Sequence, residues 1–232
     1  MGFLIPFLMC AVFLLVWIAL GRFFLAVYTF SVKRALWRSP ALDRNSAAAL
    51  LSVYFGAKSL FCGRWFPERT PNGTVYREIP CILMLGKTVF VLELCPYPGR
   101  ISNTAEDFWR IEPPKEYRRK KEIRVPNPVL LAQARAELLT ELFGVLHLPF
   151  EISVESMAVL TDQRYELESP AGEGLYTLAD AVARLSEFAA KSKPEQKKMK
   201  KERERLLPIL EHYSLSRARA AARNDRMRRQ KK

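Results

Sequence analysis

The sequence predicts an α/β domain placed behind an N-terminal apolar helix and followed by a strongly basic tail. Three observations lead there. Phe3 to Leu20 runs 18 residues without a charge. Ile82–Leu85 and Thr88–Cys95 are β-prone runs around Gly86-Lys87, followed by Asn127-Pro128 opening a helical pattern. Lys191 to Lys232 holds 16 Lys and Arg against 5 Asp and Glu, a net +11 out of +13 for the chain. With 49% hydrophobic residues, 232 residues give one ordinary core and exclude global disorder. Four scattered Cys without a Cys-x-x-Cys pair, beside two His, point to neither a zinc site nor a disulfide framework.

As helix, the charge-free run is about 27 Å long against a hydrocarbon layer of about 30 Å. Gly21-Arg22 interrupts it and Phe23 to Val32 continues apolar, so residues 1–32 are expected to form a transmembrane anchor. A cleaved signal peptide needs a basic first segment and a small-x-small site, which Met1-Gly2 and Ala19-Leu20-Gly21 do not supply. Arg22, Lys33, Arg34 and Arg38 follow the span, and the positive-inside rule places what comes after it in the cytoplasm, with the N-terminus outside. Unpaired thiols suit that compartment.

Residues 33–45 read as a basic juxtamembrane linker. From Ser46 to Phe61, the positions Leu50, Tyr54, Ala57 and Phe61 recur at helical spacing, with Asn45 or Ser46 as cap and Gly63 beyond the end. Lys58 is the sole charge on this helix. Thr70-Pro71-Asn72-Gly73 is a turn that leads into a strand from Val75. In the hairpin, Gly-Lys suits a type II′ turn. Alternation sets Val89, Val91, Glu93 and Cys95 on one face, with Pro80 opposite Glu93, or Cys81 if one residue bulges.

Between Gly99 and Val125 the chain is polar and is expected to be a surface loop, with Trp109 packed over the core edge. Its run Arg118, Arg119, Lys120, Lys121 is a candidate phosphate contact. Asn127 caps a helix with Pro128 first, an apolar stripe of Leu131, Ala134, Leu138 and Leu142, and an end at Gly144. Gln133 lies beside that stripe, where it either reaches Glu93 across the sheet or faces solvent. Met157–Leu160 is a buried strand, Tyr165–Leu167 is its expected partner, and Thr177 with Asp180 forms a capping box. Cys81 and Cys95, on neighbouring strands, are a candidate redox pair.

The domain is expected to span residues 46–190. Residues 191–232, poor in large apolar side chains, are expected to be disordered or transiently helical. As helix, they align Arg219, Arg223 and Arg226 on one stripe suited to nucleic acid or anionic lipid. With Tyr213 the lone aromatic, phosphate contact is favoured over base stacking.

The order Val89-Phe90-Val91-Leu92-Glu93, Gly99, Trp109, Asn127-Pro128, Gln133 resembles the NERD (nuclease-related) domain, whose pattern runs strand, turn, a strand ending Glu-x-Lys, Gly, Trp, then Asn-Pro with a following Gln. The resemblance spans roughly residues 54–190. It implies a restriction-endonuclease-like mixed sheet flanked by helices, with Glu93 and Gln133 in the catalytic positions, magnesium bound by an Asp and the Glu, and a Lys on the Glu strand that helps to activate water. This chain departs where the metal is held. The Asp falls on Pro80 or Cys81, the Lys on Cys95, and Ser46–Phe61 carries no acid. Magnesium wants hard oxygens. The expectation is therefore a degenerate, non-catalytic binding module without a cofactor. The rivals are an active magnesium-dependent nuclease using Glu93, Glu106 and Asp107, and a membrane-bound scaffold.

Overall fold

The computed structural model describes residues 4–229 except 72, 115–121, 149, 169–171 and 193–199. It divides into two compact units, Met1–Ser39 and Pro40–Lys232. The first is one helix, α1 (Leu4–Arg38), whose stretch Val12–Ala35 is long and apolar enough to cross a membrane, at a mean hydropathy of 2.0. Phe13, Trp17, Phe23 and Phe24 on it are exposed.

The second unit is α/β, with two mixed sheets flanked by helices. It opens with α2 (Arg44–Phe55), two residues earlier than the periodicity predicts. The cap is Asp43, whose carboxylate accepts the Ser46 N–H at 2.8 Å, and Gly56, at φ +87°, stops the helix well before Gly63. The freed segment becomes β1 (Leu60–Thr70), a strand hidden in the sequence by Gly63, Pro67 and the charges of Arg64, Glu68 and Arg69.

Strand β2 (Gly73–Leu85) folds back on β1 and continues unbroken through Pro80. Strand β3 (Thr88–Cys95) follows after the two-residue turn. Gly86 sits at φ +60° while Lys87 is not in the positive region, as a type II′ turn requires. The register Leu85↔Thr88 through Cys81↔Leu92 then sets Glu93 level with Pro80, without a bulge.

The first sheet has the order β1-β2-β3-β7-β9, where β7 is Ser153–Leu160 and β9 is Leu175–Thr177. Every residue of β3 is buried, because β3 pairs on both edges and is covered on both faces. Over one face lies α3 (Pro128–Leu146), packing Ala136, Leu139 and Phe143 around Val89 and Val91. Over the other lies α4 (Leu178–Lys191), whose Phe188 meets Phe90 edge-on at 5.1 Å. At the start of α4 the Thr177 hydroxyl accepts the Asp180 N–H at 3.1 Å and donates to the Asp180 carboxylate at 2.7 Å.

The polar stretch expected as a loop instead builds a second sheet, of order β6-β5-β4-β8. Its strands are β4 (Gly99–Ser102), β5 (Phe108–Glu112), β6 (Ile123–Pro126) and β8 (Tyr165–Leu167). Tyr165–Leu167 thus pairs with β4, not with β7. Trp109 is in the core, fully buried with Ile101, Ile111 and Leu160, and its indole N–H donates to Thr104 O at 3.2 Å. Alternation in β5 shows the cause: Trp109 and Ile111 face in, and Phe108, Arg110 and Glu112 face out. Gly99 is required at its place, since a Cβ there would collide with the carbonyl of Glu112.

The ordered unit does not end at residue 190. Helices α5 (Lys200–Tyr213) and α6 (Arg217–Arg229) belong to it. Leu206 and Leu210, four apart, join Phe61, Phe66 and Ile79 in the core. Leu215, between the helices, exchanges both backbone hydrogen bonds with Trp65 of β1. On α6, the Asn224 side chain accepts the Tyr76 N–H at 2.9 Å and donates to the Tyr76 carbonyl at 3.1 Å. Composition misses this because so few apolar residues suffice once a prebuilt sheet offers them a surface.

Candidate functional site: the Glu93 ion pair

Glu93 is 2% exposed, near the C-terminal end of the central strand. Its position shares the parity of Val89 and Val91, which aims the carboxylate at α3. The nearest group of α3 there is the Arg135 guanidinium, whose Nη1 lies against Glu93 Oε2. Arg44, on the first turn of α2, brings Nη2 to 3.3 Å from Oε1 and donates from Nε to the Leu94 carbonyl at 3.1 Å. Two guanidiniums therefore take both oxygens of one buried carboxylate.

Gln133 is not part of this group. It is exposed on α3, and no hydrogen bond between it and Glu93 occurs among the described residues. The reason is helix phase: α3 buries Pro128, Ala132, Ala136, Leu138, Leu139 and Phe143, so the predicted stripe holds at Leu138 and Leu142, while Leu131 is half-buried and Ala134 is exposed. That turns Arg135 toward the sheet edge and Gln133 outward. Arg135 went unnoticed in the sequence because a basic residue beside an apolar stripe ordinarily marks a solvated face. Arg44 went unnoticed because the helix start was placed after it.

Burial pushes the Arg135 guanidinium down to about 10, with Glu78 acting in the other direction, so it remains protonated at neutral pH. Behind Glu93, the Cys95 thiol donates to the Glu93 carbonyl at 3.4 Å, and burial raises it to about 12. Cys95 and Cys81 are three rungs apart in the register and do not form the pair expected. The thiol near Cys81 is Cys62, directly opposite on β1, with the Sγ atoms 3.2 Å apart.

Asn127 caps α3 through Oδ1, which accepts the Val129 N–H at 2.9 Å, while its Nδ2 donates to the carbonyls of Thr104 and Glu106. The Asn of the motif thus ties the helix start to the β4–β5 turn. Glu106 and Asp107 ride that turn exposed to solvent, and Glu106 accepts from Asn103 at 3.3 Å. Among the described residues, no three His, Cys, Asp or Glu side chains gather as a metal site.

Arg118, Arg119, Lys120 and Lys121 lie outside the described residues. Arg219, Arg223 and Arg226 are all exposed on α6, but Arg223 is committed: it donates to the Tyr76 hydroxyl and stands over that ring at 5.4 Å. A cavity of about 450 Å3 opens beside Arg135, lined by Trp65, Tyr76, Arg77, Glu78, Asn224 and Asp225 among others. Comparisons with protein-family models, with curated proteins and with solved structures return no match for this chain.

Proposed function

We propose that the chain is a membrane-anchored, cytoplasm-facing nuclease-related module of restriction-endonuclease-like fold that has lost catalysis and binds nucleic acid or another polyanion through its basic C-terminal segment. The fold reading is supported by a mixed sheet between helices with Glu93 on its central strand and an Asn-capped helix over it.

The observation that carries the loss of catalysis is the occupation of Glu93. A divalent ion needs several oxygen ligands, and Glu93 supplies a single carboxylate whose charge is already balanced by Arg44 and Arg135. Opposite Glu93 stands Pro80, and two residues along stands Cys95, where the resemblance has the Asp and the Lys. Neither supplies a hard ligand or a cation near the attacking water.

The binding half rests on charge. The segment from Lys191 carries +11, and α6 holds Arg219 and Arg226 exposed on a helix fixed to the sheet through Asn224. Lys33 and Arg34 at the C-terminal end of the apolar span, with Arg38 beyond it, support a cytoplasmic C-terminal side.

The experiment is a paired cleavage and binding assay on the full chain in detergent micelles, with single- and double-stranded DNA and RNA in magnesium or manganese. Expected are no cleavage and a binding that falls roughly a thousandfold between 50 and 200 mM salt if about six phosphates are neutralised. Cleavage abolished by Glu93→Gln overturns the first half. Binding that is not weakened when the exposed Arg217, Arg219 and Arg226 are replaced together by Gln, or that ignores salt, overturns the second.

A further inference from the structure

Cys62 and Cys81 face each other across the β1–β2 ladder, in register, with sulfurs 3.2 Å apart. Directly paired residues of antiparallel strands hold their Cα atoms about 4.5–5.5 Å apart, inside the range a disulfide spans. Cys62 is exposed and Cys81 is buried, so an oxidant in water meets the first and not the second. We propose that Cys62 and Cys81 form a peroxide-reactive redox site, Cys62 as the attacking thiol and Cys81 as the resolving thiol, closing a cross-strand disulfide within the hairpin.

The chemistry balances with a hydroperoxide as oxidant. Cys62, as thiolate, attacks the peroxide O–O bond and becomes a sulfenic acid, while the leaving oxygen takes the proton Cys62 gave up and departs as water or an alcohol. Cys81 then attacks the sulfenic sulfur. The S–S bond forms, and the sulfenic oxygen leaves as water with the proton of the Cys81 thiol. Two thiols have lost two electrons to one hydroperoxide.

The environment favours that order of roles. A hydrogen bond with Cys81 holds the Cys62 thiol below its ordinary value of 9.0, and the same contact, with burial, holds Cys81 well above. Cys95, pushed to about 12 by burial, is the internal control. Cys81 neighbours Pro80, which stands level with Glu93, so the bond would fix the hairpin beside the ion pair.

The test is peptide mapping of the full chain in detergent micelles after hydrogen peroxide, denaturation and alkylation. Expected is one cross-linked peptide joining Cys62 to Cys81, reversed by a dithiol, with Cys95 recovered alkylated. In Cys81→Ala, a cyclic 1,3-diketone should trap the sulfenic acid at Cys62. In Cys62→Ser, an exposed change that spares the core, Cys81 should stay unoxidised at the same dose. Recovery of both thiols alkylated, a Cys62–Cys62 link between chains, or oxidation of Cys81 without Cys62 overturns the proposal.

Discussion

Replacing Glu93 by Gln tests whether this carboxylate is held for structure. The Glu93 side chain is 3% exposed, that of Arg135 17% and that of Arg44 42%. Removing the negative charge leaves the Arg135 cation in a site whose burial already disfavours it. Breaking a buried pair from one side costs about 3–5 kcal/mol, because the remaining charge stays desolvated. Arg44 adds little, since its guanidinium keeps water and retains the Leu94 carbonyl. The lower end, about 3 kcal/mol, is therefore expected, which in a unit of this size lowers Tm by about 6–12 °C. The assay is thermal unfolding of the full chain in mild detergent at pH 7, followed by near-ultraviolet circular dichroism. The companion variant Glu93→Leu with Arg135→Met removes both charges at once and should return to within about 1 kcal/mol of the parent, as apolar replacement of a buried pair usually does. A Glu93→Gln protein as stable as the parent, or more so, would refute the reasoning. That second result is the signature of an acid retained for chemistry against its own destabilising effect.

Three further outcomes are expected. Asp43→Ala should cost about 1 kcal/mol at pH 7 by uncapping α2. The hydrogen bond from Ser46 holds the Asp43 carboxyl below 3.8, so its contribution is present above that value and lost as the pH falls through the lowered folded pKa; Asp43→Asn should flatten this acid dependence in denaturant titrations. Leu210→Ala, at a fully buried side chain of α5, should cost about 2–5 kcal/mol in the same titrations, whereas an undocked tail gives no change. Protease added to right-side-out vesicles should leave residues 40–232 intact, and cleavage after Lys33 would reverse the orientation.

What the sequence determined by itself is local. A two-residue Gly-Lys turn pairs Leu85 with Thr88 by counting and leaves Pro80 or Cys81 level with Glu93; the unbulged register selects Pro80. Asn127-Pro128 and Thr177 with Asp180 are helix starts whose side chains satisfy their own first N–H groups, and both form as read. The apolar N-terminal run forms a helix, in which Val12–Ala35, a stretch shifted toward the domain from the charge-free run, is long and apolar enough for a membrane.

The tertiary structure decided what depends on a surface that exists only after folding. Strand β1 mixes charge, Pro and Gly and holds its place because β2 lies beside it. Alternation in β5 puts Trp109 and Ile111 on one face, and the pairing of β5 with β4 and β6 turns that face into an interior. Helices α5 and α6 dock because Phe66, Ile79 and Tyr76 wait for Leu206, Leu210 and Asn224, at separations beyond a hundred residues along the chain. The partner of Glu93 was decided in the same way. Sequence places Gln133 and Arg135 on one helix two residues apart, and only the rotation at which α3 packs its Ala132, Ala136 and Leu139 edge on the sheet turns one inward and the other to water.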